Sequence, residues 1–217
     1  TTSFALEAVR SVADSWRDEA EGGPSETFTA ISSEHGSGLR VVALTDSPLN
    51  TEVLDPGRVA AAIAAARRSF DIIVVDLHPS YSTLNQAIFD EADRILVPVT
   101  PDVPAIRAAV QMRDVAAALG CRERLAMVVN RANSGVSVAD VERTVGMPAF
   151  AQIRSGGMFF VRAANEGRTV IEMFPREKIT ADFDTLADRV LGVPAKPEPV
   201  VRTGFRLPSR ARAIARA

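Results

Sequence analysis

The chain has a single cysteine, Cys121, so it offers no intrachain disulfide and no cluster of thiolates for a metal. Its two histidines, His35 and His78, fall in unrelated segments. Their spacing therefore supports neither a zinc site nor a Ser/His/Asp triad. No apolar run approaches the roughly 20 residues that a membrane-spanning helix needs. The sequence contains no G-x-x-x-x-G-K-[ST], and no G-x-G-x-x-G follows a strand. A Walker-type site needs loop amides and a lysine on the β- and γ-phosphates, and these residues supply neither. Nothing from Thr1 onward has the pattern of a signal peptide, and the first residue is not methionine.

What is present is the composition of a globular protein. At 217 residues and 47% hydrophobic, the chain suits one domain with a three-layer core. The net charge of −2 hides an asymmetry: the last 26 residues carry Lys196, Arg202, Arg206, Arg210, Arg212 and Arg216 against Glu198 alone, a tail of +5 on a body of −7. Four prolines and no lasting apolar period make 193–217 a basic, disordered tail beside a folded domain over 1–192. Within the tail, Pro208 interrupts any helix, and Phe205 and Leu207 lie on different sides of the wheel. A weak contact with anionic lipid or nucleic acid, or a solubilising role, is the reading that follows.

The pattern centres on residues 70–81. Ile72, Ile73, Val74 and Val75 form an unbroken β-branched run, as expected of a strand buried on both faces of a parallel sheet. The run ends in Asp76, with His78, Pro79 and Ser80 in the turn beyond. A carboxylate at such a strand end sits where open α/β sheets bind ligands, though a turn-capping role is the plain alternative. Around this run the spacing predicts helices over 3–20, from Asp55-Pro56 onward, over 82–90, from Asp102 to Gly120, from Ser137 to Gly146, and over 157–166 and 177–191. Strands are predicted at Leu39–Leu44, Arg94–Val99, Leu125–Asn130 and Met147–Ile153, with an extended link at Arg168–Glu172. Strands alternating with helices give an α/β class: a mostly parallel, doubly wound sheet with helices on both faces. Ser155-Gly156-Gly157 is a weak candidate for an anion-binding turn.

The order FDIIVVDLHP, ADRILVPVTPDVPAIRAA, LAMVVNRAN, GMPAFAQI and AANEGRTVIE resembles the ParA/MinD family of P-loop ATPases, nearest to its CpaE/TadZ branch, over about residues 3–191. The resemblance implies a P-loop NTPase-like sheet, ATP with Mg2+ as cofactor, and an ATP-bound homodimer. It also implies pilus, secretion or polar-localisation proteins as partners. The location it implies is cytoplasmic, or peripheral at the membrane or cell pole. Residue by residue, Asp76 matches the acid that orders magnesium and the attacking water, and Pro79 matches the switch-like loop. Asn130, with Arg131 beside it, matches the asparagine that reads the adenine edge; the alternative for Asn130 is a strand-end turn residue.

The sequence also departs from the family. The lysine-rich P-loop and the aspartate-bearing strand after it are missing, Arg154 stands where Ile-Pro is usual, and His78 replaces a small or apolar residue. The chain is therefore expected to be an N-terminally truncated member, inactive as an ATPase by itself. Two alternatives are a non-catalytic scaffold with a degenerate site and a chromosome or plasmid partitioning ATPase.

Overall fold

The computed structural model describes residues 10–45 and 54–193. The start of the predicted 3–20 helix and nearly all of the basic tail lie outside the described residues. Helix α1 (Val12–Ala20) begins at Ser11, whose hydroxyl accepts from the Asp14 N–H at 3.2 Å while its own N–H donates to the Asp14 carboxylate at 3.1 Å. This reciprocal cap starts the helix cleanly. The one-turn helix α2 (Phe28–Ile31) follows, capped by Thr27. Strands β1 (Ser33–Glu34) and β2 (Arg40–Val41) form a small antiparallel pair, and Ala43 makes a parallel bridge to Ser11. The predicted Leu39–Leu44 strand is thus shorter than expected, because its partner β1 offers only two residues. Helix α3 (Pro56–Ala66) has Asp55 as its cap and buries Val59, Ile63 and Ala66, a stripe spaced by four and three.

The β-branched run corrects its own forecast. Residues 72–78 have no regular secondary structure and belong to no sheet. Ile72 is 55% and Val74 85% exposed, while Val75 and Leu77 turn inward onto the cluster of Ala13, Val59, Ile63 and Ile88. The alternation is that of a half-covered strand. The run is not buried on both faces, because among the described residues nothing covers the side that carries Ile72 and Val74.

From here the prediction holds closely. Helix α4 (Thr83–Glu91) is capped by Ser82, and β3 (Ile95–Val99) follows it. Helix α5 (Val103–Ala118) starts on Asp102 with Pro104 in its first turn. A 3-10 turn at Arg122–Arg124 leads into β4 (Leu125–Asn130). Arg124 reaches back to the carbonyls of Phe89, Asp90 and Ala92 at 2.7–3.0 Å, satisfying the end of α4. Helix α6 (Val138–Val145) closes on Gly146, which is left-handed at φ 71°. Then come β5 (Ala149–Ile153), α7 (Met158–Asn165), α8 (Val170–Met173) and α9 (Lys178–Val190). The extended link predicted at 168–172 is instead largely helical: Thr169 and Glu172 form a second reciprocal cap that turns the chain into α8.

Strands β3, β4 and β5 lie in that order, all parallel, with one register shift at Met127/Val128. In β4, Ala126, Met127, Val128 and Val129 are all buried, as a central parallel strand requires. Met127 and Val129 face Ile106 and Ala109 of α5 and Val141 and Val145 of α6. Val128 faces the other way, with Ala151 and Ile153, onto Ala163, Val170 and Ile179 from α7, α8 and α9. The fold is therefore α/β, a parallel sheet covered by helices on both faces. Among the described residues no helix is long and apolar enough to cross a membrane.

Candidate functional site

Parallel strands all end on one side of their sheet, so the turns after β3, β4 and β5 gather there. After β3, Asp102 accepts from the Thr100 hydroxyl and, at 3.0 Å, from the Ala105 N–H. These two bonds, then the Arg131 charge, hold its carboxyl below the usual carboxylate range. After β4 the chain turns at Arg131, the single non-glycine residue with positive φ (56°) among the described residues. The Asn130 side-chain oxygen accepts from the Arg131 N–H at 2.9 Å and fixes this turn. The loop then leans on the β3 turn, where the Val136 N–H donates to the Pro101 carbonyl at 3.1 Å. Gly135 is required at this approach: a Cβ there would lie 2.3 Å from the Pro101 oxygen.

The left-handed turn gives a first expectation. A non-glycine residue in that conformation costs about 1–2 kcal/mol, part of which glycine gives back in chain entropy. Arg131→Gly should therefore raise stability by about 0.5 kcal/mol in urea unfolding, whereas Arg131→Ala should bring no gain.

After β5, Arg154 is tied to Asp182 of α9. Its side chain donates through Nε at 2.6 Å and through Nη2 at 2.8 Å, and its backbone N–H adds a third bond at 2.9 Å. The neighbouring Ser155 N–H donates to the Asn133 side-chain oxygen at 2.7 Å, joining the β4 and β5 turns. That bond occupies one of the amides that the Ser155-Gly156-Gly157 stretch would offer an anion. Ala132, Asn133, Gln152, Arg154 and Asp182 line an open cavity of about 330 Å3, of which Asn130 is not a wall. A hollow of about 370 Å3 walled by Trp16, Phe28 and Arg58 lies among α1, α2 and α3, away from the strand ends.

The Arg154 guanidinium, ahead of the Arg154 amide, holds the Asp182 carboxyl below its ordinary value. A depressed carboxyl pKa adds stability above the unfolded value, near pH 3.9, and the gain is lost as pH falls through the folded value. Asp182→Asn should therefore lower stability by about 2 kcal/mol at pH 7, as expected for charge-assisted bonds. The difference from the unmutated chain should shrink below about pH 4, measured by denaturant unfolding across that range.

Asp76 is exposed within the 72–78 segment, and Pro79 is exposed in the bend that follows it. The Asp76 carboxylate forms no hydrogen bond or ion pair with another described residue. The turn is held from behind by Asn85, only 6% exposed, whose amide donates to the carbonyls of His78 at 3.0 Å and Ser80 at 2.9 Å. Asn130 and Arg131 are adjacent at the end of β4, but no hydrogen bond or ion pair joins them to Asp76 or Pro79. Sequence reasoning missed Asn85, Asn133 and Asp182. The signal for Asn85 was available: a polar residue on the buried side of a helix, three places after its cap. Asp182 carried none, because Arg154 lies 28 residues away.

No family model matches the sequence. Two uncharacterized proteins of Mycobacterium tuberculosis, from strains CDC 1551 and H37Rv, are each 31% identical over 137 residues, covering 57% of this chain and 39% of theirs. The chain thus spans about two fifths of the length of the curated relatives it matches. Among solved structures, a ParA family ATPase from Chlorobium tepidum superposes with a TM-score of 0.76 at 16% identity, covering 87% of this chain and 79% of that one. MinD of Aquifex aeolicus, in complex with MinC, gives 0.73 at 18% identity, covering 90% and 80%. The septum site-determining protein MinD of Pyrococcus horikoshii, complexed with Mg-ADP, gives 0.67 at 13%, covering 87% and 76%. The chain has the ParA/MinD P-loop NTPase-like α/β fold.

Proposed function

We propose that these residues belong to a ParA/MinD-type, ATP-dependent switch of the CpaE/TadZ kind, one that dimerises with ATP and positions pilus or secretion machinery. The observation that carries this reading is the end of β4. Asn130 there uses its side-chain oxygen to fix the Arg131 turn and leaves its amide NH2 for an adenine edge. A side-chain amide reads a base because its donor and acceptor are fixed relative to one another.

The residues fit part of the implied cofactor. Asp76 is an exposed carboxylate without a partner among the described residues, suited to hold the water shell of Mg2+, and Pro79 stiffens the loop behind it. Bound Mg-ATP would supply the phosphoryl group whose transfer to water releases the dimer. The amide cradle and lysine for its phosphates are not among these 217 residues; on this reading other polypeptide would have to supply them. Asp76 would order the attacking water; Asn130 and Arg131 would hold base and neighbouring charge. A non-catalytic localisation scaffold is the second reading, favoured by the missing phosphate loop. On either reading the sites of action are the cytoplasm or the inner face of the membrane, and the basic tail adds a weak, salt-sensitive contact with anionic lipid or nucleic acid.

Amide exchange tests the base site. In a polypeptide that includes a phosphate-binding loop, Mg-ATP should slow exchange at residues 130–133 and 153–156, and Mg-GTP should do so far less. Equal effects of the two nucleotides, or none, would reject the assignment of Asn130.

A further inference from the structure

Helices α1, α2 and α3 surround a hollow of about 370 Å3 that no described side chain fills. Along α3 its wall is Ala61, Ala62, Ala65 and Ala66, and single methyl groups at these positions leave the space open. Trp16 of α1 and Phe28 of α2 supply aromatic walls, and both also pack on the cluster of Ala13, Val59 and Ile63. The Arg58 guanidinium lies 4.2 Å from the centre of the Trp16 ring and holds it in place. The volume falls within the range of small-molecule sites, about 300–1,000 Å3. A docked helix or a second copy would need about 800 Å2 on each side, far more surface than a hollow of this size offers.

The charges around the hollow decide what enters it. Glu26 is neutralised, with Nη1 of Arg10 2.8 Å from its Oε2. Arg58 is paired with Glu19. Arg67, outside the hollow, reaches Asp93 and the Glu91 carbonyl. Arg68 differs from all of these. Its exposed side chain lines the hollow and makes no hydrogen bond or ion pair with any described residue. Ser69 adds a hydroxyl beside it. The hollow therefore has an apolar, aromatic body and one uncompensated positive charge.

We propose that this hollow binds a small amphipathic anion, a flat aromatic body carrying one carboxylate or sulfonate. The body lies against Trp16 and Phe28, whose rings favour offset or edge-on contact with another ring. The head meets the Arg68 guanidinium, whose paired N–H donors match two oxygens of such a group. A cation is excluded, since the free charge is already positive. The chain runs from α3 through Arg68 and Ser69 into the 72–78 segment, so the ligand would sit on residues that lead to Asp76. The proposal rests on the three helices and not on the nucleotide reading, and no nucleotide enters its test.

Trp16 is the chain's single tryptophan, so its emission reports on this hollow directly. The 217-residue protein is titrated with 8-anilinonaphthalene-1-sulfonate and with N-phenyl-1-naphthylamine, which has the same rings and no charge. The sulfonate should quench Trp16 saturably at one site, with a dissociation constant on the order of tens of micromolar. Arg68→Gln should weaken the sulfonate about 10-fold and leave the neutral dye within about twofold. Ala62→Leu, which fills the hollow with a good helix former, should abolish quenching by both dyes. Val161→Ser on α7, where the valine is 48% exposed, should change neither. Quenching without saturation would overturn the site, as would undiminished binding to Ala62→Leu. Equal weakening of both dyes by Arg68→Gln would overturn the anionic head, an arm that stands even if Ala62→Leu folds poorly. Loss of binding in Val161→Ser would place the dye on α7 instead.

Discussion

Met127→Ala is expected to destabilise the chain by about 2–5 kcal/mol, while Val74→Ala in the same 217 residues costs less than about 0.5 kcal/mol. The contrast comes from burial alone. Met127 is 1% exposed at the centre of β4, where Val99, Ile106 and Val141 close around it, and truncation leaves a cavity that the sheet cannot collapse. Val74 is 85% exposed, so alanine removes little contact. Urea unfolding of both variants measures the difference. A loss for Val74→Ala comparable to that for Met127→Ala would place the 72–75 run in the core after all.

Asp76→Ala should have the largest effect on chemistry. In a polypeptide with its phosphate loop present, we expect ATP turnover to fall by at least about 100-fold, the scale of a positioned carboxylate acting on water, while ATP affinity changes by no more than about threefold. The split follows from the proposed role: Asp76 orders metal and water, whereas the base is held at the end of β4. Equal loss of binding and turnover would remove that role. The 217-residue chain alone should show no turnover, because neither the amide cradle nor the lysine is present.

The local signals of the helices and of the sheeted strands were legible in the sequence. Asp55, Ser82, Asp102 and Ser137 each cap the helix they announce, and each accepts from the amide three residues on. LAMVVN was legible as a strand; it is buried because β3 and β5 flank it and helices cover both of its faces. IIVV carried the same signal more strongly and was misjudged, because strand propensity does not say whether a partner is at hand. Thr169 and Glu172 also stood in plain view as a capping pair, three apart, yet the extended reading of that link overlooked them. For the site, Asn130 and Asp76 were legible as polar residues ending apolar runs. The Arg154–Asp182 tie and the Asn133–Ser155 link were not, since both join residues more than 20 positions apart.

The claim that these residues form part of an ATP-dependent switch is tested most directly by mass. Light scattering should be run on the polypeptide extended through its phosphate-binding loop and carrying Asp76→Ala to block turnover, with Mg-ATP and with Mg-ADP. The switch predicts a doubled mass in Mg-ATP and a monomer in Mg-ADP; one mass in both nucleotides would contradict it.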